Sequence, residues 1–162
     1  MQKVTIVIPN YNGRRLLENC LKTLENQTYT DFKVLIIDNG STDGSKEIIS
    51  DTLDMEMVSL ETNLGFCGAV NLGIQMTNTP YIILLNNDTE TDRYFVETLL
   101  KAIERSEKIF SCGAQMIDFQ NHKILDNAGD LYTAMGWAVA RGKGKRCIDY
   151  EKKKRVFSCC AG

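Results

Sequence analysis

A chain of 162 residues with 43% hydrophobic and 25% charged content is long enough to bury one domain core. Its formal net charge of -2 gives no basis for nucleic-acid binding. No apolar run approaches the ~20 residues of a membrane span, and the opening MQKVTIVIPNYN lacks a signal peptide's apolar core and cleavage site, so the chain reads as cytoplasmic.

In chain order, Val4–Ile8 is a β-branched apolar strand ended by Pro9. Asn12 is placed to cap a helix over 13–26, whose Leu16, Leu17, Cys20, Leu21 and Leu24 share a face. Phe32–Ile37 is a second strand running into Asp38-Asn39-Gly40-Ser41, after which Ser41 or Thr42 caps a helix through Ile48 and Ile49. Met57–Leu60 is a third strand, and a helix over 66–77 follows the turn Asn63-Leu64-Gly65. Tyr81–Leu85, an unbroken apolar run, reads as a central strand buried on both faces. A helix over 92–106 turns Phe95, Leu99, Ala102 and Ile103 inward. Beyond it the pattern loosens. Phe110–Ile117 reads as a strand, Ile124–Ala128 as a short strand or turn, Gly129–Gly144 as an excursion or hairpin over the sheet edge, and Arg155–Cys159 as the start of a last strand.

Alternating strands and helices predict an α/β fold with a mainly parallel sheet flanked by helices. The ends of the first, second and fourth strands then meet on one edge, where open α/β sheets bind ligands. That edge gathers Pro9–Asn12, Asp38–Ser41 and Asn86–Asp88. Asp88 has no Lys or Arg within three residues, and a carboxylate beside two amides suits Mg2+ or Mn2+, which commonly share their oxygen ligands with a phosphate. The same Asn-Asn-Asp-Thr also suits a turn and a helix cap. Asp38 or Asn39 would hydrogen-bond a base or ribose. Gly65, Gly68 and Gly73 serve either anion binding at a helix start or close helix–strand packing. There is no GxGxxG and no GxxxxGK[ST], and His122 sits in the polar stretch QNHK, away from any nucleophilic set.

Six cysteines, at 20, 67, 112, 147, 159 and 160, show no CxxC and read as free thiols, several packed as small apolar residues. The basic stretch Arg141–Lys154 reads as a solvated loop, with anionic lipid or a phosphate-bearing acceptor as its candidate contact.

Four segments, TIVIPNYNG, VLIIDNGSTDGS, ETNLGFCGAVNLGI and YIILLNNDTE, resemble in order and spacing the family 2 glycosyltransferases of the GT-A fold. The likeness is closest to the rhamnosyltransferase-like branch of bacterial surface-polysaccharide synthesis. It covers about 1–92 strongly and continues weakly through LDNAGDLYTAMGWAVARGKGK. It implies a single GT-A nucleotide-sugar-binding domain over 1–162, with donor-binding βα units in 1–106 and the start of an acceptor-side half in 107–162. It further implies inverting, metal-dependent transfer of a sugar from a nucleoside diphosphate to a glycan or lipid-linked acceptor. By position, Pro9 and Tyr11 lie against the base, and Asp38 and Asn39 take the base and ribose end. Asn63, Gly68 and Asn71 line the pocket wall, Asn87 neighbours the ribose, and Asp88 is the metal ligand.

Three departures from the family pattern stand out. Its Asp-Asp after strand two is Asp38-Asn39 here, and its Asp-x-Asp is Asn86-Asn87-Asp88. Its catalytic base lies downstream of the strand beginning near Val156, so the fold is expected to be C-terminally incomplete, with Asp126 and Asp130 the nearest spare carboxylates. That gap motivates the alternative of a non-catalytic nucleotide-sugar-binding module. A sugar nucleotidyltransferase is disfavoured because PNYNG is not the long glycine-rich basic loop that holds a triphosphate. An apolar edge near Phe157–Cys160 would favour pairing between copies.

Overall fold

The computed structural model describes residues 2–150. Four parallel strands, β1 (Val4–Asn10), β2 (Phe32–Asp38), β3 (Met55–Ser59) and β4 (Tyr81–Leu84), form one sheet in the order β3-β2-β1-β4. They alternate with helices α1 (Arg14–Glu25) and α2 (Gly65–Met76), and α3 (Phe95–Ile103) follows β4. The parallel α/β fold is thus as expected. β1 and β2 hold the core. Val7, Leu35 and Ile37 on one sheet face pack with Ala69 of α2, and Ile6, Ile8, Val34 and Ile36 on the other face are fully buried. α2 comes close enough that a Cβ on Gly73 would overlap Val7 Cγ1, so Gly73 serves packing.

Several expectations are corrected. β1 does not stop at Pro9 but runs to Asn10. The carbonyls of Val7 and Asn10 point to opposite neighbours, accepting from Leu85 N–H and Asn39 N–H. Strand alternation therefore turns Pro9's nitrogen toward the β4 side, where pairing has ended at Leu84. β4 is not central either. Among the described residues its only strand neighbour is β1, and Ile82 and Leu84 are 36% and 53% exposed. An apolar run reports hydrophobicity and carries no count of strand neighbours.

The helix expected through Ile48 and Ile49 is only a 3-10 turn, Ser45–Glu47, and Ile49 is 82% exposed. The capping groups are used elsewhere: Ser41 Oγ accepts from Asn12 N–H and Asn10 Nδ2, and Thr42 N–H donates to Asn12 Oδ1. Asn12, left-handed at φ 50, accordingly does not cap α1; Asp43 accepts from Arg14 N–H at that helix start. Leu16 lies outside the buried face of Leu17, Cys20, Leu21 and Leu24, and α3 buries Val96 and Leu100, with Phe95, Leu99, Ala102 and Ile103 half-buried.

By Cα proximity the chain divides at Thr98/Leu99. The second unit holds two small antiparallel pairs, β5 (Met116–Ile117) with β6 (Leu125–Asn127) and β7 (Asp130–Tyr132) with β8 (Ala138–Ala140). β7–β8 is the expected hairpin, whereas the strand expected from Phe110 shortens to two residues and Phe110 stands exposed. Of the cysteines described, only Cys20 is buried, and all four are free. Arg155–Cys159, Phe157–Cys160 and the end of the basic stretch lie outside the described residues. Within that stretch Lys143 pairs with Asp126, Arg146 with Asp149, and Arg141 stacks on Tyr150. No helix among the described residues is long and apolar enough to cross a membrane.

Candidate functional site

Parallel pairing sets Asn10 of β1 opposite Asp38 of β2, so two polar side chains meet where the apolar core ends. Both are buried, Asn10 at 2% and Asp38 at 0% exposure. A buried carboxylate needs donors, and Asp38 has two: Asn10 Nδ2 at 3.0 Å and Ser41 N–H at 3.0 Å. Asn10 Nδ2 also donates to Ser41 Oγ at 3.3 Å, and Asn10 Oδ1 accepts from Asn87 Nδ2 at 2.7 Å. One carboxamide thereby joins the loops after β1, β2 and β4. Gly13 lies against this link, and a Cβ there would land on Asn87 Nδ2.

Asn39 performs the equivalent task toward α2. Its Oδ1 accepts from Leu64 N–H at 2.8 Å, and its Nδ2 donates to Asn63 Oδ1 at 2.8 Å and to the Gly65 carbonyl at 3.1 Å. Asn63 Oδ1 also accepts from Gly65 N–H, which holds Gly65 at φ 75 as α2 begins. These bonds take Leu64 N–H and Gly65 N–H, and the Leu64 side chain caps none of the amides that follow, which leaves those as donors for a ligand or water. Gly68 lies one turn in, where a Cβ would press on Leu64 Cβ at 2.7 Å, and Asn71 is exposed on the next turn.

The loop after β4 is held from α1 and the turn that follows it as well. Thr23 Oγ1 meets Thr91 Oγ1 at 3.0 Å, and buried Gln27 donates to Thr91 Oγ1 and the Asp92 carbonyl while accepting from Val96 N–H. Cys20 lies beneath the Asn86 carbonyl, and burial, followed by the negative charges of Asp88 and Glu90, pushes its thiol up to about 12. Asp88 is exposed, and neither it nor the Asn86 side chain is engaged by another described residue. The segment is therefore fixed through Asn87 and the Asn86 backbone while its carboxylate stays open.

Among the described residues no group of three His, Cys, Asp or Glu side chains could hold a metal ion. A single open carboxylate still fits a cation such as Mg2+, which keeps several waters and takes its remaining ligands from substrate phosphates. Pro9 is half-buried and Tyr11 is 52% exposed, beside Asn10 at the same sheet edge. Asp38 and Asn87 share the bonds of Asn10, Asn39 and Asn63 bond to each other and join that set through Asn39 N–H on the Asn10 carbonyl, and Asp88 lies outside the bonded network. Reasoning from sequence set Asn10 and Ser41 on the polar edge without giving them a role and missed Gly13, because each matters through partners tens of residues away. The strand register, had it been known, would have exposed the Asn10–Asp38 pair. In the second unit Asp126 pairs with Lys143, and Asp130 accepts from Asn127 Nδ2 in a turn. Asp126 lies within β6 and Asp130 opens β7, so neither is a spare carboxylate on a free loop.

The profile of glycosyl transferase family 2 matches residues 5–161. Teichoic acid poly(glycerol phosphate) polymerase of Staphylococcus epidermidis is 27% identical over 116 residues, covering 68% of this chain and 16% of that protein. The amylovoran biosynthesis glycosyltransferase AmsB of Erwinia amylovora is 34% identical over 109 residues, covering 64% and 36%. Mannosyltransferase PcManGT from Pyrobaculum calidifontis, solved with GDP-Man and Mn2+, shares the fold at TM-score 0.58 and 22% identity over 61% of this chain and 31% of that one. The chain thus spans well under half the length of these relatives.

Proposed function

The chain belongs to glycosyl transferase family 2, and from that membership we propose that it binds a nucleoside-diphosphate sugar for inverting transfer to a glycan or lipid-linked acceptor. The setting is bacterial surface-polysaccharide synthesis at the cytoplasmic side of the membrane, in the rhamnosyltransferase-like branch that its four motifs resemble. The observation that carries this reading is the sheet edge at the ends of β1, β2 and β4. A hydrogen-bonded floor of Asn10, Asp38, Asn39 and Ser41 lies there, and one open carboxylate, Asp88, stands at its side.

In this reading the nucleoside lies against Pro9 and Tyr11, over the floor that Asp38 and Asn39 build. Asn63, Gly68 and Asn71 form the wall, with α2's first-turn amides facing negative charge. Asn87 neighbours the ribose. Asp88 would hold Mg2+ or Mn2+ against the diphosphate, which supplies Lewis-acid stabilisation of the leaving group. Inverting transfer also needs a base within hydrogen-bond reach of the acceptor hydroxyl. Asp126 and Asp130, committed as they are to an ion pair and a turn, are not assigned that role.

Calorimetric titration with dTDP, UDP and GDP, each with Mn2+ and with EDTA, tests the donor site. Metal-dependent binding of one nucleotide that disappears in Asp88→Ala is the expected result. Tight binding that ignores both the metal and Asp88 would overturn the assignment.

A further inference from the structure

The Asn87–Asn10 bond joins the end of the site that carries Asp88 to the end that carries Asp38 and Ser41. Resting on the donor-site reading above, we propose that Asn10 is a positioning residue that couples the metal–diphosphate end of the site to its nucleoside end.

Three observations carry this. First, Asn10 is fully used in a directional way. Its Nδ2 faces two acceptors, Asp38 Oδ1 and Ser41 Oγ, and its Oδ1 faces the donor Asn87 Nδ2. A carboxamide supplies donor and acceptor on one planar group, whereas a carboxylate supplies only acceptors and a hydroxyl spans less distance. Second, the junction leaves no space for another side chain. Gly13 packs on it so closely that a Cβ would strike Asn87 Nδ2 and approach Asn10 Oδ1 to 2.9 Å. Third, Asn87 is the only residue of Asn86-Asn87-Asp88 whose side chain is bonded to another described residue. Its neighbour Asp88, one peptide away, takes its position from that bond and from the hold on the Asn86 backbone. Asn10 itself is 2% exposed, so it acts through Asn87 and Asp38 without touching a ligand.

A nucleoside diphosphate with Mn2+ would engage both ends at once, and without metal it would rely on the nucleoside end. The coupling is therefore the ratio of the dissociation constant in EDTA to that in Mn2+. The probes are UDP, GDP and dTDP titrated into the full chain, using whichever binds most tightly. The variants are Asn10→Ala and Asn87→Ala, the second removing the link together with a neighbour of the ribose while leaving Asn10 on Asp38 and Ser41, so it remains informative if Asn10→Ala does not fold. The metal enhancement should fall about fivefold in each, the equilibrium worth of one hydrogen bond, over and above any loss in EDTA that Asn87→Ala causes at the ribose. The double variant should lose no more enhancement than either single one, because both cut the same link.

An unchanged enhancement, with equal losses in Mn2+ and EDTA, would overturn the proposal and leave Asn87 a ribose neighbour only. Absence of metal-dependent binding in the unmodified chain would instead overturn the donor-site reading, and the coupling with it. The two failures are read from different samples.

Discussion

Replacing Asn39 with alanine separates a scaffolding role from a ligand contact. The side chain makes three hydrogen bonds, to Leu64 N–H, Asn63 Oδ1 and the Gly65 carbonyl, and the residue is 4% exposed. At a net worth of about 1 kcal/mol each, their loss destabilises the fold by roughly 3 kcal/mol. For a domain of this size that lowers the melting temperature by roughly 6–12 °C. Thermal and urea unfolding followed by circular dichroism measure it. Asn39→Asp should be at least as destabilised. It keeps an acceptor for Leu64 N–H but loses both donor bonds and sets a carboxylate against two oxygens. Asn63→Ala removes the acceptor shared by Asn39 Nδ2 and Gly65 N–H, so the double variant should lose less than the sum of the singles. Unaltered stability in Asn39→Ala, with loss of nucleotide binding, would refute the argument and return Asn39 to the role of a base or ribose contact.

Gly73→Ala would normally stabilise a helix by about 1 kcal/mol, but here the added methyl overlaps Val7 Cγ1 and lies 3.3 Å from Ile37 Cγ1. Overpacking of about 1–3 kcal/mol should win, and a raised melting temperature would contradict the close packing of α2. Gly13→Ala should displace the Asn87–Asn10 pair, costing stability and most metal-dependent nucleotide binding in the same titration. Cys20, with its thiol raised to about 12 by burial and then by Asp88 and Glu90, gives a pH signature. Its folded pKa exceeds the unfolded one, so its contribution is complete below about pH 9 and is lost between pH 9 and 12, at no more than about 1.4 kcal/mol per pH unit. Urea unfolding of the native protein should show that slope in excess of Cys20→Ala, and identical slopes would refute the burial argument.

The parts of the fold that could be read from the chain are those where local pattern and long-range packing agree. β1 and β2 are mostly apolar and are buried on both faces, as two neighbours each require. Tyr81–Leu85 carries the same pattern but occupies another position, since the run cannot reveal that β1 is its only described partner. The polar residues at the strand ends differ in kind. Ser41, Thr42 and Asn12 all suit helix caps when judged locally, yet their groups pair with one another across 29 and 30 residues. A local cap satisfies one orphan amide, whereas these bonds fasten the loops after β1 and β2 to each other. The cap reading loses, and with it the helix expected at 41–49. The same contrast divides the candidate site. Asp88 was legible because its chemistry is open: a carboxylate after an apolar strand with no cation beside it in sequence. Asn10 was not, since its partners Asp38 and Asn87 lie 28 and 77 residues away and its groups are consumed internally. Residues that would meet a ligand leave a local trace, and residues that hold them in place emerge only from the register.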